Sequence, residues 1–348
     1  MQTEQLDYYL PPELIAQAPA NRRSESQLLV LDRRTGRAND RTFSAFVDYV
    51  NPGDCLVLND TKVVPARFFI RRHTGARMEA LFMDADDSGM WRVLIKNSRK
   101  LKPGEQIMLL ARDSACWGSA EAVEPIAGGG WTLRLAGSSN DAFDILGEIG
   151  LPPLPPYIKR DQSPRPDDLT RYQTVYARQP GAIAAPTAGL HFTEEILKQL
   201  EAKGLRLANV TLHVGTGTFK PVKTQRLEDH KMHSERYQVL EEDATTINDT
   251  IRSGGRVIAV GTTSVRTLET VAEGKHVRPA TGQTALFITP GYRFQAVDAM
   301  LTNFHLPKST LLALVAAFAG LDNIMAAYRH AIDQQYRFYS YGDAMLII

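Results

Sequence analysis

The segment GAIAAPTAGLHFT, residues 181–193, holds one titratable side chain, His191, among small and polar neighbours. Its Gly, Pro and Thr residues break any helical period, and the run is too polar for a core strand. Small residues let backbone approach a flat ligand closely, with the histidine as the polar group that meets it. Four more histidines lie in similar surroundings: His213 in TLHVGTGTFKP, His230 and His233 in HKMHSERY, and His305 in LTNFHLPKST. One histidine beside Gly, Thr or Asn is ordinarily a hydrogen-bonded structural residue. Five of the eight in such runs point to a shared polar cleft. Imidazole titrates near neutrality, so the chemistry to expect there is proton transfer.

Other polar groups follow short apolar runs. LNDTKVVPAR places Asn59, Asp60, Thr61, Lys62 and Arg67 after CLVL. VIAVGTTSVRTLE gives Gly261, Thr262, Thr263 and Ser264 ahead of a helical pattern, with Arg266 just inside it. Ser264 is the expected N-cap, and free amides beside it favour an anion. A merely well-capped helix explains the same residues. LTNFHLPKST adds Asn303, Lys308 and Ser309. Gly215 and Gly217 form G-x-G, but Lys220 stands where a dinucleotide fingerprint has its third glycine. His230 and His233 lack the spacing and internal Glu of HExxH, and no cysteine is near, so no metal site is expected.

These residues need elements to hold them. The chain has 348 residues, 43% hydrophobic and 23% charged, with a formal net charge of +1. That length suggests two domains, and the balance gives no global signature of a polyanion binder. The two cysteines, Cys55 and Cys116, lie far apart and fit a reducing compartment. MQTEQLDYYLPPELIAQ lacks the basic-then-apolar order of a signal peptide. The longest apolar run, LLALVAAFAG, is far short of the ~20 residues of a membrane span. A soluble, cytoplasmic protein without a membrane partner is expected, with the monomer as its state.

Residues 54–58 read as a short buried strand. From RFFIRR to GWTLRLAG, short runs of alternating apolar residues are punctuated by Gly and Asp, the pattern of a small antiparallel β-barrel. LPPLPPYIKR is a stiff connector returning from it. Beyond that, strand and helix alternate. Thr193 caps EEILKQLEAK, LANVTLHV and RVIAV are strands, EDATTINDTIRS and SVRTLETVAE are helices, and AMLTNF leads to a helix starting at Ser309. DNIMAAYRHAIDQQY is a last helix before YRFYSYGDAMLII, whose aromatic cluster either packs in the core or stacks on bases. The expected fold is α/β: a mostly parallel sheet formed by residues 1–66 and 152–348, with residues 67–151 inserted as the barrel. Ligands of such sheets sit at the carboxyl ends of the strands.

Taken in order, DYYLPPELIAQ, LNDTKVVPAR, LPPYI, RYQTVYA, PTAGLHFT, LHVGTGTF, MHSERY, VIAVGTTSVRTLE, LTNFHLPKSTLL and YRFYSYGDAMLI resemble the S-adenosylmethionine:tRNA ribosyltransferase-isomerases of queuosine biosynthesis. The resemblance runs from residue 7 to 347 and is weakest over 68–150. It implies transfer and isomerisation of the ribosyl portion of S-adenosylmethionine onto the aminomethyl group of a 7-deazaguanine at the tRNA wobble position. Epoxyqueuosine forms, and adenine and methionine leave. It also implies an α/β domain interrupted by a barrel, tRNA and S-adenosylmethionine as partners, and no cofactor, since S-adenosylmethionine is consumed as a substrate.

That chemistry needs a base for the carbon next to the sulfonium, an acid for adenine, a neutral amine and an anchor for the methionine carboxylate. On this basis His191 and His213 are acid/base candidates. Asp60 or Asp343 accepts the proton or faces the sulfonium. Arg266 and the Ser264 turn hold the carboxylate, and Asn303, His305 and Lys308 meet base or phosphate. Asn59, Lys62, Arg67, Thr187, Gly189, Gly215, Gly217, Thr262 and Thr263 complete the expected binding surface. Residues 66–102 carry nine Lys/Arg and four Asp/Glu, while 103–150 carry two and seven. The basic half is either a phosphate grip or a solvated face. Two readings compete. A methyltransferase would need the glycine-rich loop that is missing after the first strand. A non-catalytic RNA-binding module would need a clearly basic balance and no histidine-rich cleft.

Overall fold

The computed structural model describes residues 1–86, 88–137, 141–160, 165, 167–215 and 221–348. After short 3-10 turns the chain forms β1 (Gln27–Leu31), β2 (Ala38–Thr42), β3 (Cys55–Asn59) and β4 (Thr61–Val63). Then come β5 (Arg67–Arg72), β6 (Arg77–Ala85), β7 (Met90–Ile95), β8 (Glu105–Leu110), β9 (Cys116–Ile126), β10 (Gly130–Leu135) and the helix α1 (Ala142–Ile149). The return carries α2 (Asp168–Arg171), β11 (Gln179–Ala182), a 3-10 turn at Thr187–His191, α3 (Glu194–Ala202), β12 (Arg206–Leu212), β13 (Glu235–Val239) and α4 (Glu241–Arg252). Next are β14 (Val257–Val260), α5 (Thr262–Val271), the small hairpin β15 (Ala272–Glu273) and β16 (His276–Val277), and β17 (Ala280–Thr284). The chain closes with β18 (Ala299–Asn303), α6 (Thr310–Ala319), α7 (Leu321–Asp333) and β19 (Ala344–Ile347).

Among the described residues, nine strands form one sheet in the order β17-β13-β12-β3-β14-β18-β19-β1-β2. Its centre, β12-β3-β14-β18, is parallel. Beyond it, β13 and β17 on one side and β19 and β2 on the other join by antiparallel pairings, with β19–β1 parallel. The expected parallel sheet is therefore the centre of a mixed one. The apolar runs of the central strands follow from burial on both faces. In β3, Cys55 and Val57 join the core under α4 to α7, whereas Leu56 and Leu58 face α3 and Phe46. The same alternation splits Val257 and Ala259 from Ile258 and Val260 in β14.

β5 to β10 close an antiparallel barrel in the order β10-β7-β6-β5-β8-β9. The sequence reading had not singled out β9, whose alternation is diluted by Gly118, Ser119 and Pro125. α1 seals the barrel's core with Ile145, Leu146 and Ile149. The Leu151 amide donates to the Arg67 carbonyl (2.6 Å), and the Arg67 amide returns the bond at 3.2 Å, so the chain enters and leaves the barrel side by side. No single helix among the described residues is long and apolar enough to cross a membrane. The bent pair α6 and α7 passes on composition, but most of α6 is buried in the core. The C-terminal aromatics are core residues: Tyr336, Phe338 and Tyr341 are buried, as is most of Tyr339.

Candidate active site

The parallel strands β3, β12, β14 and β18 end on the same edge of the sheet. A cavity of about 650 Å³ lies between that edge and the barrel. Gly181, His213, Gly215, Glu235 and Arg236 line it from the α/β side, and Phe82, Trp91 and Arg134 from the barrel. His213 Nδ1 lies 2.8 Å from Thr61 Oγ1. Burial, and then the Arg236 charge, hold its imidazole below the usual pKa, with Asp60 opposing them. Asp60 is buried beside it, accepting from Thr211 Oγ1 at 2.7 Å. Burial pushes its carboxyl above the usual carboxylate range, against the pull of Thr211, Arg178 and His213.

Gly181 explains the start of the bland segment. Its φ is +147°, and a Cβ there would come within 2.9 Å of the His213 ring. Gly189 is equally constrained, since a Cβ would meet Tyr176 Oη at 2.0 Å. The small residues thus make room for His213 and Tyr176.

His191, at the segment's other end, is a buried structural hub. Its Nδ1 is 2.7 Å from Ser26 Oγ, its Nε2 is 3.2 Å from Asn303 Nδ2, and its ring stacks on Phe43. Burial lowers its pKa to about 4. With both ring nitrogens engaged inside the fold, it lies away from the large cavity and borders only a small one of about 20 Å³ with Arg23, Arg337 and Ser340.

Asp343 is likewise committed. It is fully buried and accepts from the Gln27 and Arg337 amides and from Arg337 Nη2. Asn59 ties strand ends together: its Oδ1 accepts from the Leu212 and Thr61 amides while its Nδ2 donates to the Leu212 carbonyl. Lys308 pairs with Glu4 at 3.0 Å and Asp7 at 2.9 Å, holding the N-terminal turn. Each of these three expected ligand or catalytic groups has its partners within the fold.

His305 is buried, bonded at Nε2 to Thr302 Oγ1 (2.8 Å), and burial lowers its pKa to about 3. It nonetheless borders a small cavity of about 30 Å³ with Thr187, Thr262, Thr263 and Asn303. Thr263 Oγ1 and Asn303 Oδ1 are buried without a hydrogen-bond partner. Ser264 is not the N-cap. α5 starts at Thr262 behind Gly261, whose φ is +87°, and Ser264 Oγ donates to the Val260 carbonyl at 2.8 Å. The helix begins earlier because glycine permits the sharp turn off β14. Lys62 is exposed on β4, and Arg67 sits half-buried at the barrel junction. Gly217 lies outside the described residues.

The sequence reading missed Glu235. It lies in the quoted run MHSERY, and its charge beside two histidines was the available signal. Its Oε1 accepts from the Gly215 amide at 2.9 Å, and its Oε2 pairs with Arg266. Among the described residues no three His, Cys, Asp or Glu side chains gather to hold a metal ion. In the barrel, the basic half of the insert forms the contiguous arc β7-β6-β5, and the acidic half forms β8-β9-β10. Arg72 pairs with Glu105 and Arg92 with Asp84, while Lys96, Arg99, Lys100 and Lys102 are exposed.

Residues 3–347 match the family model described as Queuosine biosynthesis protein. Three similar proteins, each named S-adenosylmethionine:tRNA ribosyltransferase-isomerase, align over the full length of both chains. The one from Trichlorobacter lovleyi is 49% identical over 349 residues. Those from Acetivibrio thermocellus and Thermotoga maritima are 48% identical over 350 and 349 residues. The crystal structure of S-adenosylmethionine tRNA ribosyltransferase from Thermotoga maritima superposes with a TM-score of 0.56. That superposition covers 99% of this chain and 100% of the other, with 38% identity among residues matched in space.

Proposed function

The chain belongs to the queuosine biosynthesis protein family, and on that premise we propose how its cleft carries out the family's reaction. The protein is an S-adenosylmethionine:tRNA ribosyltransferase-isomerase, a transferase that modifies tRNA in queuosine biosynthesis. It moves and isomerises the ribosyl moiety of S-adenosylmethionine onto the aminomethyl group of 7-aminomethyl-7-deazaguanine at the wobble position. Epoxyqueuosine is formed, and adenine and methionine are released.

The observation that carries the siting is His213, which lines the 650 Å³ cavity with the buried Thr61 and Asp60 behind it. The sulfonium draws electrons from the ribose C5′, so a neutral base nearby suffices to take its proton. His213 is that base: its depressed pKa keeps the imidazole neutral at pH 7. Asp60, buried beside His213 and held by Thr211, is the second polar group of the cluster and the candidate that faces the sulfonium or the departing adenine. Thr61 orients the imidazole. Phe143, exposed on α1 at the barrel side of the cavity, supplies flat apolar surface for a nucleoside taken out of the anticodon stack. The exposed lysines and arginine of KNSRKLK meet tRNA phosphates.

In this reading residues 67–151 are a domain inserted between 1–66 and 152–348, and one cytoplasmic chain, acting as a monomer, supplies the whole site. The sulfonium provides the activated carbon, so the reaction needs no added cofactor or metal, which turnover in chelator tests. The deciding experiment is mass spectrometry of tRNA carrying the aminomethyl-deazaguanine after incubation with the protein and S-adenosylmethionine. Adenine and methionine are expected beside a ribosylated base. S-adenosylhomocysteine as the product would overturn the reading.

A further inference from the structure

A second chamber, about 310 Å³, meets the first at Glu235. Its walls are apolar at Pro221, Met232 and Leu311 and charged at Glu235, Arg266 and Lys223. Glu235 lines both chambers. The Glu235–Arg266 pair is buried, with side chains 6% and 5% exposed. Arg266 Nε donates to the Leu286 carbonyl at 3.1 Å and Nη1 to Glu235, while Nη2 is buried without a partner. A buried guanidinium N–H left unbonded is costly, and a buried ion pair is seldom the most stabilising way to fill a core. Both features fit a place kept for a ligand.

We propose that this chamber takes the amino-acid end of S-adenosylmethionine, a deepening that rests on the cleft reading above. The carboxylate meets Arg266 Nη2, with the start of α6 at Thr310 and Leu311 adding partial positive charge. The ammonium faces Glu235. The methylene carbons lie against Pro221, Met232 and Leu311, and the sulfonium and ribose pass Glu235 towards His213. The charge pattern selects a zwitterion. A simple cation would be repelled by Arg266 and Lys223. Because Glu235 Oε1 also accepts from the Gly215 amide, filling the chamber is coupled to the backbone two residues beyond His213.

The test is isothermal titration calorimetry with S-adenosylmethionine, its decarboxylated analogue and L-methionine. Wild-type protein should bind S-adenosylmethionine about 10- to 100-fold more tightly than the decarboxylated form, the range for loss of a charged hydrogen bond. Arg266→Lys should bring the two towards parity. If that variant does not fold, Leu311→Trp decides. It fills the chamber from a half-buried position and leaves both members of the ion pair in the chain, and it should abolish L-methionine binding. Equal affinity for the two sulfonium ligands in wild type overturns the proposal. So does discrimination retained in folded Arg266→Lys, or unchanged L-methionine binding in Leu311→Trp. Adenine release with modified tRNA is assayed alongside. Release without carboxylate discrimination sinks the chamber alone, whereas discrimination without release sinks the reaction siting alone.

Discussion

Thr61 Oγ1 lies 2.8 Å from His213 Nδ1, across 152 positions of sequence. The contact exists because β12 runs parallel to β3, with Val210 opposite Asn59, so the two strands end together. Asn59 then locks the turn by bonding both Leu212 and Thr61. The histidine is held at an edge that Gly181 leaves open.

Replacing this histidine, His213→Asn, should lower turnover by ~10²–10⁴, the usual contribution of one placed acid or base. The pH profile carries the sign. The imidazole acts when neutral and its pKa is depressed, so wild-type turnover rises as pH climbs through that lowered pKa. The variant should lack this acid limb. Two superimposable profiles, or near-normal turnover, would take His213 off the list.

His191→Ala should act on stability. It removes a buried ring bonded to Ser26 and Asn303, at a cost of about 2–4 kcal/mol by urea denaturation. The folded pKa is about 4 against an ordinary 6.5, so the unfolded chain binds more protons between those values. Stability is therefore complete above about pH 6.5 and drains away as pH falls towards 4. His305, lowered to about 3, adds in the same direction. His191→Phe should flatten the dependence between pH 7 and 5. An unchanged slope there contradicts the buried-neutral assignment.

Lys308→Ala should leave both tRNA affinity and turnover near wild type, because its charge is spent on Glu4 and Asp7. Exposed pairs of this kind contribute little to stability. A large rise in the tRNA dissociation constant, with the N-terminal turn intact, would return Lys308 to the binding surface.

Charge reversal at Lys96, Arg99 and Lys100 should weaken tRNA binding while turnover at saturating tRNA stays nearly constant. All three are exposed near one end of the basic arc. Phosphate contacts act through counterion release, so wild type should lose affinity with added salt more steeply than the variant. Equal affinity and equal salt slopes would mark the run as a solvated face and move the tRNA surface to the α/β domain.

What the sequence determined by itself was local or patterned. Continuous apolar runs such as RVIAV and CLVL marked strands buried on both faces. Thr193 and Ser309 announced their helices, because a cap is a contact between a side chain and an amide three residues on. The barrel was legible from alternation, and its charge halves stayed on separate arcs because within each half successive strands are neighbours, while β7 and β8, across the divide, are not. The motif order pointed to the family. What only the tertiary structure decided was which polar residue in each motif faces the cavity. His191 and His213 sit in equally polar, small-residue surroundings, yet one is enclosed by Ser26, Asn303 and Phe43 while the other borders open space. Asp60 and Asp343 are both buried and differ in partner: Asp343 is held by Arg337, whereas Asp60 accepts from Thr211 beside His213. Glu235 gained its importance from Arg266, a residue 31 positions away. Burial and partnership arise from contacts between distant segments, and no local spacing encodes them.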